Sequence, residues 1–381
     1  MTTSGFLEVA ACEAAVAEGY GPARAAAKAG RKVAGFMCSY APQELFHAAG
    51  YFPVRIFGRE GNTSLADEII QPYACSFARS ALDSALANEF DFLQLAVFSH
   101  TCDTMQNLAD LWRRNRPEMA VIVVSAPTLT EGAPARIFFR RELERVREAV
   151  EGLGGPVADD ALWASIRLYQ EHRAAIRRLY EVRRARPGVI SGSEMLSVVT
   201  ASFFMEKQAH LKLLEQLAEA VARIPEGRPG PRPAVLVAGS VCQNADFIKA
   251  IEESGCAVVD DDLCMGSRSF SLPDAPEGDP LDALAEIYLA RTPCPAFHKP
   301  GFDAAQHMLE RARAAQADGV VFLLTKFCDP WFFDYPYISR TLEAAAMPTL
   351  LLEVEQHLPA PAQLRTRVEA FAEMLQAKVA S

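Results

Sequence analysis

The sequence contains no uninterrupted apolar run of the roughly 18 residues that a membrane-spanning helix needs. Its first residues, MTTSGFLEVAACEAAVAEGYG, lack the basic start of a secretory signal and are acidic in the middle. The formal net charge is −10, whereas a broad nucleic-acid surface needs clustered positive charge. These absences predict a cytoplasmic protein with neither a membrane span nor a nucleic-acid partner.

Two nucleotide-binding patterns are missing as well. The chain has no GxxxxGK[ST] loop and no GxGxxG turn, so we expect neither ATP hydrolysis by this chain nor a bound dinucleotide. Its nine cysteines include no CxxC pair, which excludes the usual zinc and ferredoxin spacings. A reducing compartment also argues against a disulfide framework. The cysteines are therefore either buried small side chains or metal ligands.

What the sequence does contain is a repeated alternation of apolar strands and amphipathic helices. Eight segments rich in Val, Leu and Ile predict strands: VAGFMC, FPVRIF, LQLAVFS, AVIVVSAP, PAVLVAGSV, CAVVDD, GVVFLLT and PTLLLEVE. Continuous apolar strands that alternate with helices are typical of parallel sheets covered on both faces. The pattern therefore predicts an α/β protein with two doubly wound parallel-sheet lobes.

A helical block separates the two predicted lobes. It spans roughly Arg136 to Arg223, and the Pro- and Gly-rich stretch 226–233 follows it. The predicted units are an N-terminal helix with the first lobe (1–135), an α-helical insert (136–230), and a second lobe with a C-terminal helix (231–381). We expect the active-site cleft between the lobes, because α/β proteins bind ligands beyond the carboxyl ends of their strands.

Four cysteines lie where that cleft is expected. Cys38, Cys102 and Cys328 each follow a predicted strand, and Cys75 lies at the start of a predicted helix. A helix N-terminus stabilises a thiolate through its unpaired N–H groups and its dipole. Their spacing alone leaves two interpretations open, a converging set of metal ligands or a set of buried small residues.

Longer motifs surround these cysteines. They are GFMCSYAPQELFHAAGYFPVRIFG, QPYACSFARSALD, FSHTCDTMQNLADLW, VVDDDLCMGSR, RTPCP and TKFCDPWFFDYPYISRTLEAAAMPTLLLEVEQ. In these segments, which run in order from Gly35 to Gln356, the sequence resembles the family of benzoyl-CoA reductases and 2-hydroxyacyl-CoA dehydratases. The resemblance implies a subunit that holds one 4Fe–4S cluster by three cysteines.

Carried over motif by motif, the resemblance implies that Cys75, Cys102 and Cys328 are the cluster ligands. Cys38 is a possible further ligand, and Cys264 and Cys294 are expected near the site or in structural positions. Cys12, Cys242 and Cys256 have no motif support. The implied partners are an acyl-CoA substrate, a paralogous or identical second subunit, and an ATP-dependent activator that carries its own 4Fe–4S cluster.

The implied reaction is a one-electron reduction of an acyl-CoA thioester to a ketyl radical in an oxygen-sensitive enzyme. The Ala- and Arg-rich composition favours the ATP-dependent benzoyl-CoA reductase type. An (R)-2-hydroxyacyl-CoA dehydratase subunit, a double-cubane-cluster reductase and a non-catalytic electron-transfer or scaffold subunit stay open as alternatives. The additional Cys38 is what keeps the double-cubane alternative open.

Polar residues near the cysteines supply candidates for catalysis. His100, Ser39 and Glu44 are the catalytic candidates, and His100 has a side chain suited to proton transfer near neutral pH. A histidine hydrogen-bonded at a strand end, or a glutamate at a helix start, would explain the same residues. The arginines between 173 and 186 predict a basic helical surface, and Asp260–Asp262 predict a solvated turn.

Overall fold

The computed structural model describes residues 5–224, 232–355 and 362–380. All eight predicted strands are present in it. They are β1 (Val33–Met37), β2 (Phe52–Arg55), β3 (Leu95–Ser99), β4 (Ala120–Val124), β5 (Ala234–Gly239), β6 (Ala257–Leu263), β7 (Gly319–Thr325) and β8 (Thr349–Val354).

Helices connect and cover these strands. They are α1 (Leu7–Glu18), α2 (Gly21–Lys28), α3 (Gln43–Ala48), α4 (Ser64–Asp67), α5 (Ser76–Leu86), α6 (Asp103–Asn115), α7 (Ala133–Gly154), α8 (Asp159–Ala185), α9 (Gly192–Ala201), α10 (Lys207–Ala222), α11 (Asp246–Glu253), α12 (Pro280–Ala290), α13 (Ala304–Ala314), α14 (Asp329–Ala344) and α15 (Ala362–Ala380). Within the described ranges, no helix is both long and apolar enough to span a bilayer.

The strands form two separate four-stranded sheets, and all pairings between them are parallel. The first sheet has the order β2-β1-β3-β4 and the second has the order β6-β5-β7-β8. In each sheet the order in which successive strands are added therefore reverses at the equivalent place, between β1 and β3 in the first sheet and between β5 and β7 in the second. The predicted two-lobed α/β fold is confirmed, and the matching orders are those expected of an internal duplication.

The burial of the central strands explains why their sequences are continuous apolar runs. Every residue of β1, β3 and β7 is buried. The close approach of β5 to β7 also requires a glycine at the end of β5. A Cβ atom on Gly239 would lie 2.1 Å from the carbonyl oxygen of Leu323, and its φ of +149° favours glycine.

The predicted insert corresponds to α7 through α10. Its apolar residues form one continuous core with those of the first sheet, whereas the second sheet has a separate core cluster on each face. The packing therefore attaches the helical block to the first lobe. The unit boundaries at 135 and 230 stay predictions, and most of the 226–233 linker lies outside the described residues.

A buried histidine pair joins α8 to α10. His172 Nε2 lies 2.8 Å from His210 Nδ1, and His210 Nε2 lies 3.0 Å from the carbonyl oxygen of Val198. Burial lowers the pKa of His210 to about 3 and that of His172 well below its usual value. The charges of Lys207 and Arg173 act in the same direction on the pKa of His172. Both rings are therefore neutral at physiological pH.

This pair predicts acid sensitivity of the fold. Both pKa values are lower in the folded state than the value of about 6.5 expected in the unfolded chain. The two neutral rings therefore contribute their full share of the folding stability above about pH 6.5, and this contribution is lost as the pH falls toward 3. Lowering the pH from 7 to 5 should cost about 2 kcal/mol for each neutral histidine. Urea unfolding of the wild type and of His210→Asn at the two pH values measures this loss. An equal pH dependence in both proteins would contradict the assignment.

Candidate functional site

The three predicted cluster ligands share one structural position. Cys75 is the N-cap residue of α5, Cys102 is that of α6, and Cys328 is that of α14. None of the three helices has a side-chain hydrogen bond at its N-cap. Each thiol thus lies beside the unpaired N–H groups and the positive end of a helix dipole, which stabilise a thiolate.

These thiols also lie close enough to affect one another. Burial is the main cause of the raised pKa of Cys75; it also raises the pKa of Cys102 to about 12 and that of Cys328 well above its usual value. The Cys75 thiol adds to the rise in pKa at both other cysteines. Since Coulombic effects weaken with distance, the Cys75 sulfur lies near both.

Backbone N–H groups of the first helical turns oppose these shifts. They lower the thiol pKa and belong to Ala78 and Phe77 for Cys75, to Met105 and Thr104 for Cys102, and to Trp331 for Cys328. Backbone N–H groups close to a sulfur favour the deprotonated form that a metal requires.

Three further cysteines converge on the same place. Cys38 contributes to the raised pKa of Cys75, Cys102, Cys264 and Cys294 alike. Cys264 and Cys294 in turn raise the pKa of Cys328. The site therefore gathers thiols from both lobes, and Cys38 lies near more of them than any other thiol in the described chain.

The remaining cysteines differ from these six in their environment. Cys12, Cys242 and Cys256 are fully buried in apolar surroundings, whereas the six converging cysteines are all partly exposed. The lack of motif support for these three agrees with their burial in the core. The solvent exposure of each thiol and its influence on the pKa of other thiols thus divide the cysteines into the same two groups.

The topology explains why two of the thiols meet in the first lobe. Cys38 directly follows β1, and Cys102 follows β3 by three residues. These two strands flank the place where the strand order of the sheet reverses. Doubly wound sheets open a crevice there, because the connections from the two strands leave on opposite faces. Cys38 Sγ lies 3.2 Å from the Thr101 hydroxyl, beside Cys102.

The backbone is strained at two positions of the site. Cys38 has a φ of +66° and Phe327, which precedes Cys328, has a φ of +63°. Neither residue is a glycine, and this region is unfavourable for a side chain as bulky as phenylalanine. Strained positions of this kind concentrate at functional sites.

Buried arginines surround the thiols. Arg55 and Arg291 are 2% and 3% exposed, and neither has a carboxylate within ion-pair distance among the described residues. Arg268 is 5% exposed, pairs with Asp262 at 2.7 Å, and lies 4.8 Å from the ring of Trp331. The sequence interpretation missed these residues, although an arginine inside the apolar segment FPVRIF was an available signal.

The predicted catalytic candidates occupy different positions. His100 is partly exposed directly after β3, and its side chain makes no hydrogen bond to a described residue. The carbonyl of Ser39 accepts a hydrogen bond from Arg291. Glu44 is fully buried, and its carboxylate contacts Arg173 and Tyr288. Catalytic roles for all three stay predictions.

Two predicted charged surfaces are wrong. Arg173 and Arg183 are buried, and Arg184 pairs with Asp260 at 3.1 Å, so α8 does not present one solvated basic face. The Asp260–Asp262 run belongs to β6 and is buried instead of forming a solvated turn. The Arg184–Asp260 ion pair and the hydrogen bond from Arg183 to the Val258 carbonyl connect the second lobe to the helical insert.

No three or more His, Cys, Asp or Glu side chains of the described chain are grouped closely enough to hold a single metal ion. A single ion needs all its sulfur ligands about 2.3 Å away, whereas each thiolate of a four-iron cluster binds a different iron. Arg55 Nε and Arg268 Nε are buried donors without a hydrogen-bond partner among the described residues. Converging thiols beside unpartnered donors fit an anionic metal–sulfur group.

Comparison with known proteins gives matches over most of the chain. A family model described as 2-hydroxyglutaryl-CoA dehydratase, D-component, matches residues 38–375. The beta subunit of lactoyl-CoA dehydratase from Anaerotignum propionicum is 31% identical over 92% of this chain and 93% of that protein. The beta subunit of (R)-phenyllactyl-CoA dehydratase from Clostridium sporogenes is 29% identical over 91% and 92%. A benzoyl-CoA reductase subunit from Thauera aromatica is 27% identical over 91% of each.

The structure is that of a two-lobed α/β protein in which four partly exposed cysteines, Cys38, Cys102, Cys264 and Cys328, follow the ends of parallel strands. The chain belongs to the 2-hydroxyglutaryl-CoA dehydratase D-component family, as the sequence resemblance predicted. Its relatives are subunits of acyl-CoA dehydratases and reductases, so it is an enzyme component of the lyase or oxidoreductase type.

Proposed function

We propose that this chain is the 4Fe–4S subunit of an oxygen-sensitive acyl-CoA enzyme, with Cys75, Cys102 and Cys328 as ligands. The observation that carries the proposal is the placement of these three thiols at helix N-termini, where the Cys75 thiol also raises the pKa of both Cys102 and Cys328. Three thiolates leave one iron free for another ligand, which a catalytic metal needs.

The proposed reaction begins with one-electron reduction of an acyl-CoA thioester. When bound, the cluster supplies electrons of low potential. The chain's own residues hold the thiolates, limit the access of water to them and place buried guanidinium groups beside them. His100 is the candidate proton donor, since its partly exposed ring lies two residues before Cys102. We propose the benzoyl-CoA reductase type, with the 2-hydroxyacyl-CoA dehydratase type as the alternative.

We further propose two protein partners. One is a paralogous or identical second subunit, in keeping with relatives that are named as subunits of larger enzymes. The other is an ATP-hydrolysing activator with its own 4Fe–4S cluster, because this sequence has no nucleotide-binding loop of its own.

Iron analysis of the anaerobically purified protein tests the proposal. A single cubane predicts about four iron atoms per chain and the charge-transfer absorption of iron–sulfide bonds. Turnover of benzoyl-CoA against (R)-lactoyl-CoA, with the activator and partner present, separates reductase from dehydratase. A folded, anaerobically prepared chain that binds no iron would overturn the proposed function.

A second candidate, the double-cubane reductase, is supported by the convergence of six thiols instead of three. This alternative predicts roughly twice the iron of one cubane per chain. It also predicts that Cys38→Ala, Cys264→Ala and Cys294→Ala lose about half of that iron. With a single cubane, these variants should retain nearly all of it.

A non-catalytic scaffold role would differ in substrate binding. Titration of the isolated, iron-loaded chain with benzoyl-CoA and lactoyl-CoA distinguishes the two roles. Saturable binding supports a catalytic role for this chain, whereas binding that appears only with the second subunit supports the scaffold alternative.

A further inference from the structure

Arg55 is a buried charge without a partner. It is the last residue of β2, it is 2% exposed, and its guanidinium makes no hydrogen bond or ion pair to any described residue. An uncompensated buried charge is costly, and native proteins almost always pair such groups. The missing partner is therefore an observation that points to a ligand.

The position of the guanidinium is fixed by its surroundings. The Arg55 backbone N–H donates to the Phe203 carbonyl at 3.1 Å, and the Tyr20 hydroxyl donates to the Arg55 carbonyl at 2.9 Å. The guanidinium carbon lies 5.2 Å from the ring centre of Phe203 and 5.9 Å from that of Phe57. These contacts orient the side chain but leave its N–H donors unused.

Thiols from opposite lobes act on the charge of Arg55. Burial lowers the pKa of Arg55, and the Cys38 and Cys264 thiols are the largest influences that raise it again. Arg291, a second guanidinium without a carboxylate partner among the described residues, repels it. Arg55 and Arg291 thus carry buried positive charge that no described carboxylate balances.

A second donor at this place is also unsatisfied. Arg268 Nε has no hydrogen-bond partner within the described ranges. Arg268 acts on the pKa of both Cys264 and Cys294, and the Trp331 N–H lowers the pKa of Cys264. A set of unsatisfied donors around one place is complementary to an anion with several acceptor atoms.

We propose that Arg55 is an anion-binding residue beside the converging thiols, and that its buried, unpartnered guanidinium binds an acceptor-rich anion. Two sources share this chemistry: the sulfide face of a bound iron–sulfur cluster, and the oxyanion of a small substrate. The first source rests on the proposed function, whereas the second does not require iron.

Stability of the iron-free protein distinguishes ligand binding from a structural role. Arg55→Met removes a charge that the fold does not use, so its melting temperature should equal or exceed that of the wild type. The matched control is Arg183→Met, because Arg183 is equally buried but donates to the Val258 carbonyl. This control should melt at a lower temperature. A loss in Arg55→Met as large as in the control would overturn the proposal.

Two binding arms identify the source of the anion. In the first, each variant is loaded anaerobically with iron and sulfide, and the midpoint potential is measured. Arg55→Met and Arg55→Gln should give a lower potential than the wild type, because the reduced cluster loses a compensating charge. Arg55→Lys should restore it. In the second arm, acetate is titrated into the iron-free protein, and its affinity should be about tenfold weaker without the guanidinium.

The outcomes are separable. A change in potential alone assigns the anion to the cluster, and a loss of acetate binding alone assigns it to a small oxyanion. Unchanged potential together with unchanged acetate affinity overturns the proposal, even where the wild type binds iron normally. A wild type that binds no iron refutes the proposed function, but leaves the acetate arm as a full test of Arg55.

Discussion

Replacing Cys75, Cys102 or Cys328 by alanine should abolish most of the iron binding of this chain when it is purified without oxygen. Each substitution removes one thiolate from a set of three, which leaves two attachment points on a cluster that needs at least three. Loss of a partner that merely hydrogen-bonds to a metal ligand already costs roughly 10–100-fold in metal affinity. Loss of a ligand itself should cost more.

The structure gives a reason for expecting similar losses at all three positions. Each cysteine occupies the same N-cap position, and first-turn N–H groups lower the pKa of each thiol. None of the three side chains has a capping hydrogen bond whose loss would unfold its helix. The alanine variants should therefore fold and fail only in binding iron, as measured by iron content and visible absorption.

Cys256→Ala is the matched control. Cys256 is fully buried, and among the described residues Asp318, not another thiol, adds to its raised pKa, so it lies apart from the other cysteines. This variant should retain all of its iron. Full iron content in Cys102→Ala combined with loss in Cys38→Ala would show that Cys38 replaces Cys102 in the ligand set.

Most of the fold follows from the sequence because of burial. Parallel strands covered on both faces must be apolar along their whole length, and β1, β3 and β7 are recognisable for that reason. Helix α12 is apolar on nearly every side and so shows no amphipathic period. Its one clear signal is Asp279, whose side chain accepts hydrogen bonds from the N–H groups of Leu281 and Asp282.

The candidate site could be predicted only in part. Strand ends locate Cys38, Cys102 and Cys328 within their own lobes, since that placement depends on local sequence. The approach of Cys264 and Cys294 depends on how the second lobe packs against the first, which no local pattern encodes. The ion-pair partners of the arginines could not be predicted from local sequence either, because the partners of Arg173 and Arg184 lie 129 and 76 positions away in the chain.

Replacing Glu44 by alanine should cause the largest loss of stability among the side chains of the first lobe. Glu44 Oε1 lies 2.5 Å from Arg173, and Oε2 accepts a hydrogen bond from Tyr288 at 2.8 Å. Both charged groups are buried, and two further nitrogens of Arg173 already lack partners among the described residues. The pair joins α3 to α8, so its charges connect the first sheet to the helical insert.

The expected loss is about 3–5 kcal/mol, because removing one partner leaves the other as an uncompensated buried charge. Domains of this kind are stabilised by only about 5–15 kcal/mol in total. Urea unfolding at pH 7 measures the change. Glu144→Ala is the control, since the ion pair of the exposed Glu144 with the partly exposed Arg140 (3.2 Å) should contribute no more than about 0.5 kcal/mol.

A double variant separates a structural role of Glu44 from the catalytic role that its sequence position allowed. Glu44→Leu with Arg173→Met removes both charges together, and so it should recover most of the stability that Glu44→Ala loses. Glu44→Gln keeps the contact with Tyr288 but leaves Arg173 unpaired, and it should be destabilised as well. If Glu44→Gln instead unfolds at the wild-type urea concentration while turnover is lost, Glu44 acts on substrate, and the ion pair with Arg173 does not determine the stability of this lobe.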